Sequence, residues 1–76
     1  MGKTYRERIR ETREDADLTQ AEIASRLGIR QNVYSRYERG ENPLPVNHLI
    51  KLAEIYCTST DYLLGLTNER RPYPRA

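Results

Sequence analysis

Seventy-six residues make room for one small domain, and a chain of that length buries only about 60 % of the surface it exposes when unfolded. With 37 % apolar residues, 32 % charged residues, a mean hydropathy of −0.89 and apolar runs of at most three residues, a membrane span or a signal-peptide core is not expected. The formal charge of +2, from 13 basic and 11 acidic residues, is too small to name a partner by itself, so its distribution has to be followed along the chain.

A charged helix is expected from Thr4 to about Asp15, with Tyr5, Ile9 and Thr12 on one stripe. Its interleaved arginines and acids (Glu7, Glu11, Glu14, Asp15 and, just beyond, Asp17) read as a solvated face. The next start signal is Thr19-Gln20-Ala21-Glu22. That is the capping-box pattern, a hydroxyl for the third amide and a glutamate reaching back to the cap. Helix two then runs through Ile23, Ala24 and Leu27 and stops at Gly28, the residue type that tolerates a left-handed turn. A third helix is expected from about Gln31 to Arg39, with Tyr34 and Tyr37 facing the body and Gly40 ending it. Residues 41–45 form a loop, and helix four follows from about Val46 to Tyr56 on a stripe of Leu49, Leu52, Ala53 and Tyr56. Ser59 caps a short fifth helix through Leu64, closed by Gly65. No period-two alternation occurs, so the expected class is all-α. Residues 1–67 form the domain, and residues 68–76, with Pro72 and Pro74, an extended or disordered tail.

Chemistry is concentrated between helices two and three. Ala24 permits close approach of the two, Gly28 turns the chain, Ile29 plugs the corner, and Tyr34 and Tyr37 pin helix three to the core. The opposite face of helix three then presents Gln31, Asn32, Val33, Ser35 and Arg36. Amides pair with adenine edges, arginine with guanine, and apolar side chains with the thymine methyl group. Arginine outnumbers lysine eleven to two, and Arg26, Arg30, Arg36 and Arg39 flank only one acid, Glu38, a local balance of +3. Guanidinium forks suit phosphate and guanine.

Catalysis finds no such constellation. There is one histidine, His48, one cysteine, Cys57, no nucleophile-elbow pattern and no glycine-rich phosphate loop, so neither an enzyme nor a metal or cofactor site is expected. A single cysteine also makes no internal disulfide, which favours a reducing cytoplasm. Tyr5, Tyr56 and Tyr62 are expected to pack, with hydroxyls reaching the surface or a polar partner.

Leu18-Thr19-Gln20-Ala21-Glu22-Ile23-Ala24, the run from Leu27 to Gly40, Leu49-Ile50-Lys51-Leu52-Ala53 and Ser59 to Leu64 together resemble the phage-repressor and Cro-type helix-turn-helix domains. Within that group the chain is similar to the bacterial Xre-like transcriptional regulators. The resemblance covers about residues 5–66. It implies a five-helix domain that binds a pseudo-palindromic double-stranded DNA operator, usually as a homodimer, to repress or autoregulate. It also implies that Gln20, Arg39 and Asn42 lie at phosphates, that Gln31, Asn32, Ser35 and Arg36 lie at bases, and that Arg13 and Glu38 form a buried ion pair joining helices one and three; Thr19 and Arg30 are expected as further phosphate contacts and Val33 as a further base contact. Two positions depart from the family pattern. Arg30 stands where Ser or Thr usually caps the recognition helix, and Leu44-Pro45 replaces the usual Pro-Ser or Pro-Thr start of helix four. The rival expectation is a protein-interaction module on the same fold, an antitoxin or anti-repressor with a protein partner. For the DNA-binding reading helix five and the tail, with Leu63 or Leu66, are the expected dimer surface; the rival expects the Gln31/Arg36 face to tolerate substitution while helix five or the tail does not.

Overall fold

In the computed structural model, which describes residues 4–74, five helices follow one another: α1 (Tyr5–Asp15), α2 (Gln20–Leu27), α3 (Gln31–Arg39), α4 (Val46–Ile55) and α5 (Thr60–Leu63). No strand occurs among the described residues. The all-α, five-helix expectation holds, and the bounds of α3 coincide with those read from its flanking residues. Two helix ends differ from expectation only in detail. Tyr56 follows α4 as its cap rather than lying within it, and Leu64 does the same for α5.

Three helices start on a side-chain cap. Thr4 accepts from the Glu7 amide, Ser59 from the Tyr62 amide, and Thr19 forms the complete capping box with Glu22. All five helices end alike. The residue after the last turn has positive φ, its amide bonds three residues back, and the next amide bonds five residues back: Leu18 to Arg13, Ile29 to Ala24, Glu41 to Arg36, Thr58 to Ala53 and Leu66 to Asp61. This pattern satisfies carbonyls that a helix end leaves open. Glycine supplies the left-handed residue after α2, α3 and α5, but Asp17 (φ 58°) and Cys57 (φ 52°) supply it after α1 and α4.

The core is built from one or two residues of each helix: Ile9, Ile23, Ala24, Tyr34, Tyr37, Leu52, Ala53 and Leu63. α3 packs against α2 and α1, and α4 and α5 close the other side. Tyr34 and Tyr37 meet edge to face at 6.1 Å, the geometry their ring quadrupoles prefer. His48 sits half-buried with Nδ1 3.3 Å from the Tyr37 hydroxyl.

Three expectations need correction. Leu63 is fully buried rather than available to a partner, because α5 packs on α1 and α4 with Leu63 in the core; Leu66 is exposed. The Tyr56 hydroxyl reaches neither surface nor partner; it is buried without a hydrogen bond among the described residues, as is that of Tyr34. Arg8, on the helix read as a solvated face, is buried. Its guanidinium lies 4.2 Å from the Tyr62 ring centre and donates to the Thr67 carbonyl (3.3 Å) and Asn68 Oδ1 (3.2 Å).

Those contacts also place the segment after α5. Residues 67–74 carry no helix, yet Thr58 Oγ1 donates to the Arg70 carbonyl at 2.7 Å. The Arg70 guanidinium also stands over the Tyr62 ring, 5.2 Å from its centre, and the Tyr73 hydroxyl donates to Asp61 at 2.6 Å. The last two residues of the expected tail, 75 and 76, lie outside the described residues. Among the described residues no helix is long and apolar enough to cross a membrane.

Candidate nucleic-acid interface

α3 is divided lengthwise. Its inner side, Tyr34 and Tyr37, is buried, whereas Gln31, Asn32, Arg36 and Arg39 are exposed and Val33, Ser35 and Glu38 are half-buried between them. Gln31, Asn32, Ser35 and Arg39 line one open depression on the outer side. Val33 differs from the other proposed base-facing residues in also packing against the core. The division follows from the turn before the helix. Gly28 at φ 72° reverses the chain, the Ile29 amide bonds back to Ala24, and Ile29 packs into the corner. Ala24, fully enclosed, is the small residue at which α2 meets the rest of the core.

The N-terminus of α3 is uncapped. Arg30 occupies the cap position and accepts no side-chain bond, so the amides of Gln31 and Asn32 are left to an outside acceptor. Arg30 and Arg36 are exposed, with no ion-pair partner among the described residues. Arg39 pairs with Glu41 at 2.8 Å, both side chains being more than half exposed, so the pair is readily exchanged for another anion. Asn42 is half-buried in the loop that follows.

Behind this face lies a three-residue clamp. Arg13 Nε and Nη2 donate to the two Glu38 oxygens at 2.8 and 3.1 Å, Arg13 Nη1 donates to the Leu18 carbonyl at 2.9 Å, and Gln20 Nε2 donates to Glu38 Oε1 at 3.0 Å. One carboxylate on α3 therefore holds both α1 and the first residue of α2. Burial pushes the Glu38 pKa up, but the hydrogen bonds from Arg13 and Gln20 outweigh it and leave the carboxyl below its ordinary value. The Glu38 hydrogen bond raises the pKa of Arg13, so both charges are fixed at neutral pH. Burial raises the Tyr34 and Tyr56 hydroxyls above the usual tyrosine range, with Glu38 adding to the effect. Gln20 keeps its second amide hydrogen for an outside acceptor.

One residue beside this face has no signal in the local sequence. Arg6, on α1, lies directly over Gly40, where the positive-φ backbone ends α3. A Cβ at Gly40 would fall within the Arg6 guanidinium. The two residues are far apart in sequence, and nothing in the pattern of α1 distinguishes Arg6 from its neighbours.

Two short helices meeting at a left-handed glycine, with the second helix open along one side, is the arrangement that a helix-turn-helix family model matches over residues 9–63. The chain belongs to the helix-turn-helix family. Among relatives of this helix-turn-helix chain, the uncharacterized HTH-type transcriptional regulator YobD of Bacillus subtilis (strain 168) is 37 % identical over 68 residues, 90 % of this chain and 61 % of YobD. The HTH-type transcriptional regulator ImmR of the same organism is 45 % identical over 58 residues, 76 % of this chain and 46 % of ImmR. The cryptic phage CTXphi transcriptional repressor RstR of Vibrio cholerae serotype O1 is 35 % identical over 60 residues, 79 % of this chain and 54 % of RstR. The chain thus spans about half the length of these curated relatives. Among solved structures, the DNA-binding domain of the P22 C2 repressor superposes with a TM-score of 0.77 at 28 % identity, covering 92 % of this chain and 95 % of that one. The Xre-like, phage-repressor resemblance and the fold it implies are thereby borne out.

Proposed function

We propose that the chain is a sequence-specific double-stranded DNA-binding regulator of transcription, acting in the cytoplasm, most simply as a repressor or autoregulator. α3 lies in the major groove. Gln31, Asn32, Ser35 and Arg36 meet base edges, and Val33 offers methyl contact at the border. Thr19, Gln20, Arg30, Arg39 and Asn42 hold phosphates, which set register without reading sequence. The observation that carries this is the split character of α3, packed along one side and bearing unpaired amide and guanidinium groups along the other. The relatives' names and the P22 C2 repressor domain point the same way.

We further propose that the chain acts as a homodimer on a pseudo-palindromic operator, with half-sites about 10 bp apart. The exposed apolar residues Ile50, Leu66 and Tyr73 lie outside the helix-turn-helix and supply its surface. The test is selection of bound duplexes from a random pool at about 150 mM salt. A recurrent two-fold motif is expected. Arg36→Ala should lose preference at one base position and about 1–3 kcal/mol on the selected site. Equal affinity of the parent protein for selected and random duplexes would overturn the proposal.

A further inference from the structure

α3 has nine residues and is therefore about 13 Å long. The major groove is about 12 Å wide. A helix of that length whose N-terminal residues reach the base edges leaves its other end at the groove wall, where the phosphates run. Gly40 marks that end, and the residue seated on Gly40 is Arg6. Glycine makes the seat. With no side chain there, the flat guanidinium lies against the backbone, which limits its wandering before any ligand arrives.

The charges around it favour an anion at this point. Arg39, immediately before Gly40, is already paired with Glu41, whereas Arg6 is exposed and has no ion-pair partner among the described residues. The negative end of the α3 dipole steadies Arg6 but is too weak to neutralise it. A guanidinium presents several donors in one plane and can bond a phosphate with two of them.

We propose that Arg6 is a DNA phosphate-binding residue, so that the interface extends beyond the helix-turn-helix onto the start of α1. This rests on the DNA-binding proposal above. Arg6 contributes affinity and orientation, and no sequence preference.

The experiment is a salt titration of duplex binding by the whole chain, with a selected and a random duplex, comparing the parent protein, Arg6→Ala and Arg6→Lys. Removing one phosphate contact lowers the slope of log affinity against log salt by about 0.9. The Arg6→Ala deficit should therefore be about 3.5 times larger at 50 mM than at 200 mM salt, and equal on both duplexes. Arg6→Lys keeps the charge and should keep the parent slope. An Arg6→Ala protein with parent affinity and slope overturns the assignment. So does one that melts at a lower temperature but keeps the parent slope, since that is the behaviour of a residue serving only the fold. A parent protein that binds neither duplex at 50 mM salt removes the DNA proposal itself, whereas parent binding unaffected by Arg6→Ala removes only Arg6.

Discussion

Replacing Glu38 with glutamine keeps the shape of the side chain and removes its charge. The Glu38 side chain is 3 % exposed and that of Arg13 12 %, so the change strands a guanidinium out of water with only neutral carbonyl acceptors, those of Leu18 and of the new amide. Breaking one side of a buried ion pair costs about 3–5 kcal/mol, because the remaining charge keeps its desolvation penalty. A domain of this size has roughly 4–11 kcal/mol of stability at about 0.05–0.15 kcal/mol per residue. Glu38→Gln should therefore remove about a quarter or more of the total, measured as a shift of the urea midpoint at unchanged slope. The double variant Arg13→Met with Glu38→Leu leaves no orphaned charge and should recover much of that loss. The pH dependence has a defined sign. Glu38 has a lowered folded-state pKa, so its stabilisation is present above the unfolded value and is lost as pH falls through the folded one. Acid should destabilise the parent protein more steeply than Glu38→Gln. A Glu38→Gln cost below about 1 kcal/mol, or a double variant as unstable as the sum of its parts, would refute the reasoning.

Three further outcomes follow from local geometry. Cys57→Gly removes a side chain from a left-handed residue and should stabilise by about 0.5–1 kcal/mol in urea, with the gain in the folded state partly offset by greater freedom in the unfolded chain; no gain would mean that Cys57 is unstrained. Tyr56→Phe deletes a buried hydroxyl without a partner and should raise the melting temperature, the relief being about 1 kcal/mol; a fall would show that the hydroxyl is bonded. Truncation after Leu66 takes away the acceptors of Arg8 and Thr58 and should cost about 1–3 kcal/mol, whereas an unchanged urea midpoint would mean that residues 67–74 do not brace the body.

What was legible beforehand was local chemistry. The Thr19 capping box, the glycines at 28 and 40 and the spacing of Tyr34 and Tyr37 each act within a few residues, and together they delimit α2 and α3 and orient α3. What was hidden is set by contacts across long stretches of chain. Asp17 and Cys57 do the work of glycine, so composition gave no sign that α1 and α4 end in the same left-handed way. Arg8 looks like any arginine on a charged helix until Tyr62 and Thr67 are folded against it. Arg6 acquires a place only when α1 crosses the end of α3. Around the interface, Gln31, Asn32, Ser35 and Arg36 share one side of α3 because helical periodicity requires it, whereas the hold of Gln20 and Arg13 on Glu38 depends on three helices meeting.

Amide chemical-shift mapping during titration with a selected duplex addresses the outer side of α3 most directly. The signals of Gln31, Asn32, Ser35 and Arg36 should shift most, followed by Thr19, Gln20 and the residues around Gly40, while buried Leu52 and Leu63 stay nearly still. Shifts centred on α5 and residues 67–74, with α3 unmoved, would contradict the placement of that helix in the groove.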